Sequence, residues 1–95
     1  MFRAIYQGVV IAESEKTIEL EGNWYFPPED VKKEYLFPSD HRTICPWKGE
    51  ARYYHVRVGD HIAWNAAWYY PDPKDAARHI RGYIAFWKDV VVERS

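Results

Sequence analysis

Proline and glycine cut this chain into pieces too short for anything but strands and short helices. Gly22-Asn23, Pro27-Pro28, Pro38, Pro46, Gly49, Gly59-Asp60, Pro71, Pro73 and Gly82 fall between runs rich in valine, isoleucine, tyrosine and tryptophan. Runs of that kind, bounded by turn residues, read as about seven short strands and favour two packed antiparallel sheets or a small open barrel. A chain of 95 residues has material for one hydrophobic core, so residues 1–95 are expected to form a single domain.

Residues 9–12 are apolar and end in the polar stretch 13–16. Thr17-Ile18-Glu19-Leu20-Glu21 then alternates, with Ile18 and Leu20 on one face. The two segments are expected to pair as a hairpin. Trp24-Tyr25-Phe26 is a further strand, stopped by Pro27-Pro28 because proline has no amide to give a ladder. Pro28-Glu29-Asp30-Val31 suits one helical turn. Residues 38–50 carry two prolines, a glycine and no usable period, and read as a long ordered loop. Residues 52–58 resume as a strand with Tyr54, Val56 and Val58 on one face and Tyr53, His55 and Arg57 on the other. After the Gly59-Asp60 turn, residues 61–64 continue as a strand, and Trp68-Tyr69-Tyr70 ends at Pro71. One short α-helix is expected over 73–80, capped by Asp72 and ended by Gly82. Its narrow apolar stripe is Ala76, Ala77 and Ile80. Residues 83–87 and 90–93 read as a closing hairpin around Lys88-Asp89.

Charge removes several function classes. Thirteen basic residues stand against fourteen acidic ones, for a net charge of −1, with no long run of either sign. Bulk attraction to phosphate backbones has no support, and nucleic acid is not an expected partner. A local patch drawing on Lys48, Arg52, Arg57, Arg78 and Arg81 is the one arrangement that would change this. The single cysteine, Cys45, rules out an intramolecular disulfide and a structural zinc site built on paired cysteines. His41, His55, His61 and His79 have no cysteine pair or acid cluster beside them, so no metal and no cofactor is expected. The first residues lack the apolar region of a secretory signal, and no run is long enough to span a bilayer. A cytoplasmic address with no membrane contact is therefore the expectation.

Several segments carry a family pattern. Ala12-Glu13-Ser14, Glu21-Gly22-Asn23 with Tyr25-Phe26-Pro27, and Thr43-Ile44-Cys45-Pro46-Trp47-Lys48-Gly49 come first. Ala67-Trp68-Tyr69-Tyr70-Pro71 and Ile80-Arg81-Gly82-Tyr83-Ile84-Ala85-Phe86 complete it. In these segments, and along nearly its whole length, the chain resembles the domain-of-unknown-function 427 family. The resemblance implies a β-tent-like fold, in which two small antiparallel sheets lean together around a cleft. Relatives of that architecture hold zinc through paired cysteines, which this chain lacks, so metal binding does not carry over. Trp47 stands where the family more often has tyrosine, which keeps an aromatic ring with a donor. The resemblance implies no settled activity.

The loop 43–49 is the strongest site candidate, because it brings a hydroxyl, a thiol, an indole N–H and an ammonium close together. As a binding loop it would rim a pocket, with Lys48 meeting an anionic group and Trp47 stacking on a flat one. As a structural loop it would plug the core with Cys45 and Trp47. A reactive Cys45 would need a thiolate-stabilising neighbour such as His41, His55 or Lys48. Strand alternation separates Trp68 and Tyr70 from Tyr69, so one set should fill the core and the other face a cleft or solvent. The candidate ligand-binding set is Thr43, Cys45, Trp47, Lys48, Tyr53, His55, Trp68 and Tyr69; no catalytic residue is assigned. There is no glycine-rich phosphate loop, no G-x-S-x-G elbow and no H-E-x-x-H.

The expected fold is mainly β with a cleft floored by aromatics. The leading function is binding of a small planar or anionic ligand, with or without chemistry on it. A protein-interaction or homodimerisation module through exposed strand edges and rings is the alternative. A platform for single-stranded nucleic acid is the weaker third. One consequence is independent of which holds: chelator and reductant together should leave the melting temperature unchanged, and a fall of many degrees in a thermal melt would overturn a fold free of metal and disulfide.

Overall fold

The computed structural model describes residues 1–95 and is mainly β, with nine strands in three open antiparallel sheets. The strands are β1 (Phe2–Tyr6), β2 (Val9–Ser14), β3 (Ile18–Leu20), β4 (Asn23–Tyr25), β5 (Leu36–Cys45), β6 (Gly49–Val58), β7 (His61–Tyr69), β8 (Ile84–Phe86) and β9 (Val91–Arg94). The sheets run β2-β1-β9, β3-β4 and β5-β6-β7-β8. No barrel closes.

The pairing departs from the expected hairpins at both ends. Residues 9–12 belong to β2, which pairs with β1 and not with the 17–21 segment. The turn between β1 and β2 is Gln7-Gly8, both at positive φ (51° and 76°). Two such residues give the tight turn whose twist matches that of antiparallel strands. Residues 17–21 instead feed β3, which turns at Glu21-Gly22 (φ 55° and 80°) into β4. The expected closing hairpin is split between two sheets. β8 pairs with β7, while β9 crosses to β1.

The expected loop over 38–50 is replaced by most of β5 and the start of β6, joined by a tight turn at 46–48. Its lack of period has a physical cause. Most of β5 is exposed on both faces, so no side of it is selected to be apolar. Pro38 and a register shift between Pro38 and Arg42 interrupt the edge, which protects it from pairing with another chain.

The α-helix expected over 73–80 is a 3₁₀ segment, Asp75–Ile80, with Ala77 outside helical geometry (φ −118°). Asp72 does not cap it: Lys74 holds the N-cap position in an extended conformation, and no side chain bonds the first turn. The cause lies in the partner loop. The Lys74 amide donates to the Lys48 carbonyl (2.9 Å), and the Lys74 ammonium donates to the Pro46 carbonyl (2.6 Å). The strap between the two segments fixes residue 74 before any helix begins. The tighter winding buries Ala77 and Ile80, three apart, and leaves Ala76 exposed. Two further 3₁₀ turns, Pro28–Asp30 and Lys33–Tyr35, link β4 to β5; the first is the turn expected after Pro27-Pro28.

The core has two parts, one on each face of the four-stranded sheet. On the first face Val56, Ala63, Ala66, Ala67 and Phe86 pack against Ala4, Tyr6 and Ile11 of the three-stranded sheet. Tyr54, Val58 and Tyr69 extend this layer. On the second face Ala51, Tyr70 and Ala85 meet Tyr25, Ala77 and Ile80. Phe26 exchanges two backbone hydrogen bonds with Ile84 (2.8 Å each), so the β3-β4 pair joins β8 and curls over the second face. Ile80 is fully buried there and Asp72 is exposed. Ile80→Ala should therefore cost about 2–5 kcal/mol, while Asp72→Ala should stay within about 0.5 kcal/mol. Urea denaturation of both variants checks the assignment, and the reverse order would restore an Asp72 cap.

Candidate functional site

The curl of β3-β4 over the large sheet leaves a cleft of about 260 Å³ lined by Asn23, Tyr25, Lys48, Tyr53, Trp68, Tyr70 and Trp87. Strand alternation supplies the floor. Tyr53 on β6 lies opposite Trp68 on β7, and Tyr70 follows two residues after Trp68 on the same face. Tyr25 comes from β4, Trp87 from the end of β8, and Lys48 from the β5-β6 turn.

The rings are held by their polar ends. The Trp68 indole N–H donates to the Tyr25 hydroxyl (3.3 Å), with the two rings perpendicular at 6.1 Å. The Trp87 indole N–H donates to the Asn65 carbonyl (2.6 Å), and its ring meets Trp68 edge-on at 5.7 Å. The Tyr53 hydroxyl hydrogen-bonds Thr43 Oγ1 (2.9 Å). Ring positions fixed in this way do not have to be ordered when something binds.

Lys48 is the site's one buried charge, 7% exposed. Its ammonium is ion-paired and hydrogen-bonded to the Glu21 carboxylate. It also lies 5.3 Å from the Trp47 ring centre and 5.6 Å from that of Tyr70. Burial alone would lower its pKa. The Glu21 hydrogen bond, with attraction to Tyr25, Tyr70 and Glu21, outweighs burial and raises it, so the lysine stays an ammonium. Burial also raises the pKa of Tyr25 and of Tyr70, against the lowering effect of Lys48. Both phenols keep their protons and remain donors.

Of the eight residues singled out in the sequence, Lys48, Tyr53 and Trp68 line the cleft. Thr43 reaches it through the Tyr53 hydroxyl. Cys45 is half-buried against the second core cluster behind it. Trp47 stands at the rim beside Lys48, 38% exposed, and does not plug the core. Tyr69 points to the opposite face, stacked on Tyr54 at 5.0 Å. His55 accepts the Asn65 amide at Nδ1 (3.0 Å) and packs edge-on to Trp64 at 4.9 Å. The Cys45–histidine pairing does not form: His41 is four residues back along β5, about 13 Å by strand rise, with its ring against Tyr53 at 4.6 Å. Cys45 is opposite Gly49, and His55 is six residues further along β6, about 20 Å by strand rise. No three histidine, cysteine or carboxylate side chains are grouped where they could hold a metal ion.

Asn23, Tyr25, Tyr70 and Trp87 are the lining residues that sequence reasoning left out. The signal for Tyr70 was present, since it shares a face with Trp68. The others depend on which hairpin curls over which sheet. Four of the five basic residues considered as a patch are engaged separately: Arg52 with Glu50 (3.2 Å), Arg57 with the Gly59 carbonyl (2.9 Å), Arg78 with Asp75 and Lys48 with Glu21. No helix is long and apolar enough to cross a membrane.

A family model described as "Domain of unknown function (DUF427)" covers residues 1–94. No curated protein matches the chain.

The raised pKa values fix the sign of a pH effect. Lys48, Tyr25, Tyr54 and Tyr70 all have folded values above their unfolded ones, so the folded state holds more protons at alkaline pH. Their contribution is complete below about pH 10 and is lost as the pH rises through the folded values. Denaturant unfolding should give level stability from neutrality to about pH 9 and a decline above about pH 10. Stability that rises above pH 10 would contradict the site's electrostatics.

Proposed function

The chain belongs to the DUF427 family, and from the cleft we propose that it is a binding domain for a small planar ligand. The observation that carries the reading is the convergence of five rings, from β4, β6, β7 and the segments after β7 and β8, on one concavity beside a paired ammonium. Aromatic faces with a few fixed polar groups are the usual makeup of small-molecule sites. A cleft of about 260 Å³ lies below the range of roughly 300–1,000 Å³ for drug-sized ligands, so the ligand is a small one. The curled β3-β4 pair leaning over the large sheet accords with the β-tent arrangement that the family resemblance implies.

Homodimerisation is a second reading, favoured by one feature. Trp64 is 60% exposed on the open part of the same sheet face. It packs on His55, which lies opposite the exposed Phe37, and Ile62 is two residues before it. Contiguous exposed rings of this kind mark interaction surfaces.

A thermal-shift screen of small ring compounds separates the two. A ligand at 100 times its Kd should add about 2.7 kcal/mol, and Trp87→Ala, at a half-exposed wall position, should abolish the shift while the domain stays folded. If no ring compound shifts the melt and sedimentation shows a dimer that Trp64→Ser dissociates, the interaction reading replaces the ligand one.

A further inference from the structure

The Lys48–Glu21 pair is unusual in its asymmetry. The Lys48 side chain is 9% exposed and is walled by Trp47, Tyr70 and the cleft floor. The Glu21 side chain is 48% exposed and sits at the tip of a two-residue turn, with a non-glycine φ of 55°. The turn does not need the Lys48 contact to hold its shape. The Gly22 amide donates to the Glu19 carboxylate (2.7 Å), and β3 pairs with β4 in register on either side. One partner is therefore built into the cleft, and the other reaches in from a solvent-exposed arm.

Resting on the ligand-binding reading above, we propose that Glu21 occupies the seat of a ligand carboxylate, and that the cleft's ligand is a planar ring bearing one such group. The ring lies on Trp68 and Tyr53, and its carboxylate takes the place of Glu21 at the Lys48 ammonium. The charge balance argues for one carboxylate and against a phosphate. A single ammonium matches a single negative charge, and no arginine or other lysine lines the cleft. Doubly charged phosphate is usually met by several charge-assisted donors. Tyr25 and Tyr70 line the same cleft as the ammonium, which lies 5.6 Å from the Tyr70 ring centre, so the incoming oxygens would meet them beside Lys48. Displacing Glu21 leaves no buried unpaired charge. Its carboxylate rotates into water, while Lys48 exchanges one partner for another.

A tethered carboxylate competes as an internal ligand, with an effective concentration that reaches the millimolar range for short flexible connections. Removing it should tighten carboxylate binding selectively. The probes are 2-naphthoate and its uncharged isostere 2-naphthamide, followed through the indole N–H signals of Trp68 and Trp87. Glu21→Gln should tighten 2-naphthoate by about tenfold or more and leave 2-naphthamide within about twofold. Asp72→Asn removes an equal charge from an exposed side chain that bonds nothing, and should change neither. Glu21→Gly, which the left-handed backbone accepts, repeats the test should the glutamine variant displace the turn. Lys48→Met should erase the preference for the acid in every background. If both probes bind and Glu21→Gln moves them equally, or moves 2-naphthoate no more than Asp72→Asn does, the carboxylate seat is wrong and the ring-binding cleft survives. If neither probe binds the wild type or the Glu21 variants, the cleft reading itself falls, and the seat with it.

Discussion

The four-stranded sheet is held together at the point where its ladder breaks, and the residue that holds it is Asn65. β6 and β7 pair at Tyr54–Ala67 and again at Val56–Ala63, so β7 carries extra residues across from His55. Asn65 absorbs the excess at a φ of 53°, a left-handed conformation that asparagine tolerates better than most residues. Its hydrogen bonds reach every other strand of the sheet or its end. The amide donates to His55 of β6, the side-chain oxygen accepts from Ser39 of β5 (2.5 Å), and the carbonyl accepts from Trp87 after β8. Lys88 adds a bond to the neighbouring Trp64 carbonyl (2.9 Å). The bulge thus does more than accommodate two strands of unequal length. It sets where Trp87 stands, and Trp87 is a wall of the cleft.

That same sheet divides its residues by size. Ala63, Ala66 and Ala67 face the three-stranded sheet, and their small side chains let the two layers approach closely. Tyr53, Trp68 and Tyr70 face the other way, where only the β3-β4 pair and the 75–80 segment cover the sheet. A covering layer that small cannot fill the space above large rings. The cleft is what remains, which makes it a consequence of the topology as much as of any one residue.

How much of this could be read from the residues follows from the same physics. The β class, the face of Tyr54, Val56 and Val58, and the division of Trp68 and Tyr70 from Tyr69 were legible, because burial on one face imposes a period of two. β5 was not legible, since exposure on both faces removes the constraint that writes such a period. The late start of the 75–80 segment was hidden for a different reason. Asp72-Pro73 is a sound local start signal, and a backbone bond from Lys74 to a loop far away in sequence overrides it. Lys48 shows the limit most clearly. A lysine between tryptophan and glycine could be read as one that meets an anionic group, but its burial depends on Glu21 arriving from another hairpin, which no local pattern encodes.

The cleft therefore combines parts of different stiffness. Its rings are anchored through Tyr25, Asn65 and Thr43, and the loop carrying Lys48 is strapped to Lys74. Gly49, at a φ of 110°, lets that loop turn while its backbone runs against Asp72 and Pro73, where an added Cβ would sit 3.5–3.6 Å from their atoms. Those groups lose little freedom on meeting a partner, so affinity at the floor depends on shape and not on ordering. The Glu21-Gly22 turn is the exception, because it is exposed and tied to the rest at its base. Under the proposed binding function selectivity would divide accordingly: the rigid floor would decide which ring fits, and the Glu21 carboxylate which charge may follow it in.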